Sequence, residues 1–287
     1  MLLEPAFLEK LERLRLVARR RTRGSAGERR SRTLGRGVEF SDHRAYQVGD
    51  DWRYVDWSIY ARLDRLFVKL FEEEEDTDVH LLVDASGSMA VGSPPKLEYA
   101  KRLAAALGYV GLAGGDRVGA VALHGTRLDL LPPRRGRAHA HHLFRFLESQ
   151  RPEGPTRLAE AVRAFAPRHR GLVVVASDLF DPAGAQGFLD RLRHAGLEVF
   201  VVHLLAEEDL RPPGWGELRL MDAETGESVE VTVDGSLVRE FTARRDAFLE
   251  GVREYCGRHG IPYVRATTAF PVEDLVLRYL RRAGLVG

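Results

Sequence analysis

Cysteine is almost missing from this chain: Cys256 is the single one in 287 residues. One thiol cannot close an internal disulfide, so a reducing, cytoplasmic setting is the expectation, and no secretory leader precedes Glu4. Cys256 itself falls in a helical pattern and is read as packing rather than as a nucleophile. Net charge is nearly missing as well. Forty-three Lys and Arg offset 42 Asp and Glu to leave +1, which excludes a globally basic nucleic-acid binder. No stretch approaches the ~18–20 uncharged apolar residues of a membrane span, and no internal repeat or low-complexity domain stands out. What is left, 44% hydrophobic and 30% charged, suits a globular chain with core for one large domain or two small ones.

One stretch organises the rest. In Val79-His80-Leu81-Leu82-Val83-Asp84-Ala85-Ser86-Gly87-Ser88-Met89 an apolar run ends in a carboxylate, and two hydroxyls follow at intervals of two. Such a run fits a strand buried on both faces, as in parallel sheets. Asp84 then sits at the strand's C-terminal edge, where open α/β sheets place their ligands. Asp84, Ser86 and Ser88 offer only oxygen, which suits a hard divalent cation such as Mg2+, with Mn2+ and Ca2+ as alternatives.

Asp84-Ala85-Ser86-Gly87-Ser88 resembles the D-x-S-x-S of von Willebrand factor A domains, their metal-ion-dependent adhesion site (MIDAS). Gly154-Pro155-Thr156-Arg157-Leu158 resembles that family's Gly-Gly-Thr-x-Leu loop, with Pro155 in place of the second glycine. Leu172-Val173-Val174-Val175-Ala176-Ser177-Asp178 resembles its strand ending in Thr-Asp-Gly, here Ser-Asp-Leu. The resemblance implies a metal site made of Asp84, Ser86, Ser88, Thr156 and Asp178. It also implies a three-layer, doubly wound, mostly parallel α/β sheet, Rossmann-like, with one antiparallel edge strand. A further stretch carries Asp42-His43-Arg44, Gly49-Asp50-Asp51, Asp56-Trp57 and Ala61-Arg62 ahead of that domain. By these residues the chain resembles the bacterial domain-of-unknown-function family numbered 58, from about Pro5 to the end. This second resemblance implies pairing with a MoxR-type AAA+ ATPase in assembly or remodelling.

Taken in order, residues 5–18 read as an amphipathic helix with Phe7, Leu8, Leu11, Leu14 and Val17 on one face. Up to Gly37 there are eleven Lys/Arg against four Asp/Glu, a local charge of about +7. Residues 19–37 read as a solvated linker; an arm for nucleic acid is the alternative, but it lacks interleaved aromatics. Residues 40–57 have no clean period, and Arg44 and Arg53 are expected to pair with carboxylates while Trp52 and Trp57 cover core. A second metal site from Asp42, His43, Asp50, Asp51 and Asp56 matches no ligand spacing. Residues 66–71 read as an extra strand running into the acidic 72–76, a solvated turn.

Beyond the Asp84 strand, helices are expected at 96–114, 157–168 and 183–194, and strands at 118–123, 128–131, 172–177 and 199–204. That alternation argues for right-handed crossovers in a parallel sheet. His139, His141 and His142 read as a solvated helix face. Strands at 217–221 and 228–233 make a hairpin inserted at about 211–235. Ser236 is expected to cap a long helix, followed by a strand at 261–264 and a helix at 272–282. The expected division is an arm at 1–64 and the α/β domain at 65–287.

Asp84 and Asp178 would end neighbouring strands. Two carboxylates ~4 Å apart at an effective dielectric near 20 repel by about 4 kcal/mol, so the site calls for a cation, a proton or water between them. With a dication bound, one coordination position is left for a foreign oxygen, and an acidic side chain of a protein partner is the expected occupant. The expectation is therefore a non-enzymatic, divalent-cation-dependent interaction module. A metal-dependent phosphatase or hydrolase using Asp84 is the enzymatic alternative, although Ser86 stands where such a phosphatase carries a second carboxylate. No Gly-x-Ser-x-Gly elbow surrounds Ser86 or Ser88.

Overall fold

Six of seven residues from Asp78 to Asp84 are buried, because this strand (β3) has neighbours on both edges and helices on both faces. The computed structural model describes residues 2–17, 38–73, 78–165, 171–212 and 214–287. They form two units, 2–17 with 78–287 and, separately, 38–73. The division falls between the second and third strands. The N-terminal helix α1 (Pro5–Leu11) belongs to the larger unit, where Phe7 and Leu11 enter the core. This helix is shorter than its sequence pattern, and the chain then makes an isolated bridge from Leu16 to Val286.

The larger unit is built on a six-stranded sheet. Beside β3 on one side runs β4 (Arg117–His124), followed by the edge strand β5 (Arg127–Arg134), which is antiparallel. On the other side come β6 (Leu172–Ser177), β7 (Glu198–Leu205) and β10 (Tyr263–Thr267), all parallel. Chain order therefore runs outward from β3 in one direction and then, from β6, in the other. The point of reversal lies between β3 and β6, and such a switch point opens a crevice at the strands' C-terminal ends.

Strand alternation divides the apolar residues between two cores. Leu81 and Val83 face α3 (Lys96–Gly114) and α4 (His139–Ser149), packing with Leu103, Leu107, Leu143 and Leu147. Leu82, Val173 and Val175 join the other core, with Phe165 of α5 (Leu158–Phe165), Phe188 of α6 (Ala185–His194) and Val252 of α8 (Gly235–Arg258). The helix α3 approaches closely because it is small on that face. A Cβ on Gly108 would stand 2.3 Å from the Leu143 side chain. Cys256 lies fully buried in the second core, and burial pushes its thiol up to about 11, which leaves it an inert packing group. The cap of α8 is Asp234, whose carboxylate accepts from Leu237 N at 2.8 Å, rather than Ser236. His139 is buried at the start of α4 and stacks on His142, so the expected solvated face holds only in part. Among the described residues no helix is long and apolar enough to cross a membrane.

Between β7 and α8 stands the hairpin of β8 (Gly216–Met221) and β9 (Ser228–Val233), close to its expected bounds. The smaller unit pairs β1 (Val38–Ala45) with β2 (Phe67–Glu73) and adds the short helix α2 (Trp57–Leu63). Its first strand had no periodic signal, since a bulge between Phe40 and Asp42 breaks the alternation. The basic segment 19–37 and residues 74–76 of the acidic run lie outside the described residues.

Candidate functional site

Four of the five expected residues meet in the switch-point crevice. Asp84, the last residue of β3, is fully buried and held from two directions. Ser86 N donates to its Oδ1 at 3.0 Å and Ser177 Oγ to its Oδ2 at 2.5 Å. Burial first, and the nearby Asp178 carboxylate second, push the Asp84 carboxyl up to about 7. Past Asp84 the chain crosses to the neighbouring loops, where Ala85 N reaches Leu123 O at 2.9 Å and Gly87 N reaches Gly154 O at 2.8 Å. These bonds hold the Ser86–Ser88 loop against the loop that carries Thr156. Ser86 Oγ and Ser88 Oγ are 3.2 Å apart, and Ser88 Oγ donates to Asp178 Oδ2 at 2.9 Å. Four of the five residues, Asp84, Ser86, Ser88 and Asp178, thus form one oxygen cluster.

Asp178 follows β6 in a turn that sequence did not foresee. Leu179 takes φ +58, where glycine sits without cost and a bulky residue is strained by about 1–3 kcal/mol. Its side chain is fully buried in the second core, which offsets the strain by about 1.5–3 kcal/mol. Leucine thus stands at a positive-φ position that glycine would occupy without strain. His203 fixes the same turn from below: its Nε2 donates to the Asp178 carbonyl at 2.8 Å, and its Nδ1 faces the Tyr263 hydroxyl at 2.8 Å. Burial lowers this imidazole to about 4, so it is neutral and acts as a strut.

A cation of the chain's own stands in the crevice. Lys96, on the first turn of α3 and 1% exposed, places Nζ 2.7 Å from Asp178 Oδ2 and 2.9 Å from Asp209 Oδ2. A lysine at a helix N-terminus opposes the helix dipole, and the two carboxylates compensate for that. Formally Lys96 and Asp209 cancel, leaving Asp84 and Asp178 as the unbalanced pair.

Thr156 is buried on the loop before α5, but its hydrogen bonds run to the hairpin instead of to the cluster. Its N–H donates to Glu224 Oε2 at 2.9 Å, and its hydroxyl makes a short hydrogen bond to Glu224 Oε1. Glu224 lies in the turn joining β8 and β9.

The family described as "Protein of unknown function DUF58" matches residues 42–248, a shorter reach than the expected span from about Pro5 to the end. The chain belongs to that family. Uncharacterized proteins of Mycobacterium bovis and Mycobacterium tuberculosis are each 29% identical to this DUF58 chain over 296 residues, covering 99% of it and 93% of their own length. Among solved structures, a conserved hypothetical protein BatB from Bacteroides thetaiotaomicron is similar at TM-score 0.43 and 17% identity. The match covers 72% of this chain and 98% of that one.

The donor set of this DUF58 crevice can be tested against a divalent ion by spacing. An octahedron with metal–oxygen bonds of about 2.1 Å has adjacent oxygens roughly 3.0 Å apart. The Ser86–Ser88 and Ser88–Asp178 separations of 3.2 and 2.9 Å are of that size. Of the five residues, Ser86, Ser88 and Thr156 offer hydroxyls and Asp84 and Asp178 carboxylates. Among the described residues no three His, Cys, Asp or Glu side chains gather as a metal-holding group.

Ser177 was quoted only as part of the motif that ends in Asp178, and three participants escaped sequence reading: Lys96, Asp209 and Glu224. Lys96 alone left a trace, as a cation in a helix's first turn after Pro94-Pro95. Of the second metal site considered in the smaller unit, the Asp42 side chain lies outside the described residues, and the other members have partners of their own. Asp50 takes a bidentate pair from Arg44 (both 2.9 Å), Asp51 pairs with Arg53 (2.7 Å), and Asp56 caps α2 while facing His43 at 3.0 Å. Trp52 and Trp57, expected to cover core, are 69% and 58% exposed.

Proposed function

We propose that this chain is a non-enzymatic protein–protein interaction module whose crevice binds a divalent cation, Mg2+ first and Mn2+ or Ca2+ as alternatives, in order to recognise an acidic side chain. On this reading Asp84, Ser86, Ser88, Thr156 and Asp178 are the residues that hold the ion, as in adhesion-type von Willebrand factor A domains. The observation that carries it is the gathering of Asp84, Ser86, Ser88 and Asp178 oxygens at the sheet's switch point, with separations of 2.9 and 3.2 Å that a hexacoordinate ion would also accept. Hydroxyl ligands leave a dication strongly Lewis-acidic, and a carboxylate is the natural complement.

The surroundings favour the same partner chemistry. A cleft of about 390 Å3 opens beside Thr156, flanked by Arg127 and Arg157. Their ion pairs are loose, at 3.6 and 3.7 Å, so both guanidinium groups are open to an incoming acid. The resemblance to the family puts a MoxR-type AAA+ ATPase, or its client, first among such partners.

Calorimetric titration with Mg2+ and Mn2+ tests the site. The parent protein is expected to bind one ion and Asp84→Ala none. Equal binding by both would remove the reading. A phosphatase assay with and without Mg2+ separates it from the enzymatic alternative, for which turnover that disappears in Asp84→Ala is the deciding result.

A further inference from the structure

The turn between β8 and β9 is more than a solvated connection. Asp222 organises it: its Oδ1 accepts Glu224 N at 2.7 Å and Thr225 N at 2.9 Å, while Asp222 N donates to Glu227 O at 2.8 Å. Gly226, at φ +74, closes the turn. The tip so formed is seated on the crevice at two points. One is Gly87, the residue between Ser86 and Ser88, where a Cβ would stand 2.6 Å from Ala223 O and 3.0 Å from the Glu224 Cα. Only glycine allows that approach. The other is Thr156, whose N–H and hydroxyl both donate to the Glu224 carboxylate. A preformed turn, a glycine seat and a two-pronged carboxylate contact together fix an acidic side chain on Thr156 and the hairpin backbone against the Ser86–Ser88 loop.

We infer that Glu224 is the chain's own carboxylate for the position an acidic partner would take, so the β8–β9 hairpin is a tethered occupant of the recognition site. The inference rests on the cation-site reading above and adds a ligand to it. A tethered group competes at high effective concentration, so a free carboxylate gains access only when the hairpin leaves or a partner holds it elsewhere. The exposed Trp215, Met221 and Val229 on the hairpin give such a partner apolar surface to grip. With Glu224 in place, a second carboxylate also meets a like charge.

The test is a calorimetric Mn2+ titration of the full chain and of Glu224→Ala, Glu224→Gln and Asp84→Ala, each with and without millimolar sodium acetate. Thermal melts check that each variant is folded. Glu224→Ala and Glu224→Gln are expected to weaken Mn2+ binding about 10-fold. Acetate should restore the alanine variant, where the position is vacated, and leave the glutamine variant and the parent unchanged. Parent-like Mn2+ affinity in Glu224→Ala or Glu224→Gln, or an acetate effect equal in parent and Glu224→Ala, makes the hairpin tip a packing element and overturns the inference. If those results come while Asp84→Ala still loses the ion, the cation site stands and only the tethered carboxylate falls. If the parent takes up no Mn2+, or Asp84→Ala binds it as the parent does, both readings fall together.

Discussion

The crevice and the smaller unit are both dense in Asp, Lys and Arg, yet they use charge in opposite ways. In the crevice Lys96, Asp178 and Asp84 are all at most 1% exposed, and each is held by several partners. In residues 43–57 the two arginine pairs are local in sequence, six residues apart for Arg44–Asp50 and two for Arg53–Asp51, and the arginines reach solvent. The first arrangement has to be nearly complete to exist at all, because a desolvated charge without its partner costs several kcal/mol. The second shapes turns and caps a helix with charges that water would also accept. Burial, rather than the number of charges, therefore decides where a substitution is felt.

Lys96→Met should give the largest effect. It leaves Asp178 and Asp209 uncompensated, so the ion-free protein is expected to lose about 3–5 kcal/mol in urea unfolding. Mg2+ should return part of that loss, since a dication supplies the missing charge. A loss below about 1 kcal/mol would mean that water reaches Asp178 freely, and the contrast with the smaller unit would collapse.

Arg44→Ala comes next. Its bidentate contact holds Asp50, whose side chain is 6% exposed, while Arg44 itself is about one third exposed. Discounted for that exposure, the expected cost is about 1 kcal/mol, read as a roughly fivefold rise in the rate of proteolysis between residues 42 and 56. An effect as large as that of Lys96→Met would show this unit to be as tightly locked as the crevice.

How much of this was legible follows from the same distinction. Strands such as 172–177 and the hairpin at 216–233 announce themselves by unbroken or alternating apolar residues, and Asp84, Ser86 and Ser88 by their spacing at a strand end. Lys96 and Glu224 did not, because their meaning comes from residues 82 and 68 positions away. The tryptophans misled for a related reason. An aromatic is a good core residue on average, but the polar turns at Asp51 and Asp56 hold Trp52 and Trp57 at the start of short helices that face solvent. Leu179 shows the converse case, in which the fold accepts a residue that the turn's geometry alone would refuse.

Asp116, which follows α3, sharpens the comparison as a half-buried case. Burial raises its carboxyl to about 6, with Arg15 pulling weakly the other way. Its folded pKa lies above the unfolded value, so the native state holds the proton more tightly, and stability falls as pH rises from about 4 to about 6. Asp116→Asn should flatten that slope and leave the protein more stable than the parent at pH 7. With the screening that partial exposure brings, the gain is expected to stay below about 1 kcal/mol. A loss of stability at pH 7 would mean that the ionised form is the one the fold favours.

Arg53→Ala should do least, although by contacts alone it looks strong. Arg53 Nε lies 3.1 Å from both Asp51 oxygens, and its Nη2 lies 2.7 Å from Oδ2. Geometry of that quality in a buried site would matter, but this guanidinium stands in water, two residues from its partner. Side-chain ordering and salt screening offset what the pair gains. The Asp51 cap does not depend on the pair, because Asp51 Oδ1 also accepts Arg53 N at 3.0 Å, and a backbone donor survives the substitution. The denaturant midpoint of Arg53→Ala is therefore expected to match the parent within error at low salt and at high salt alike. A midpoint that drops at low salt and recovers at high salt would reveal a real attraction, and exposure would then be a poorer guide to the worth of a charge than the crevice makes it seem.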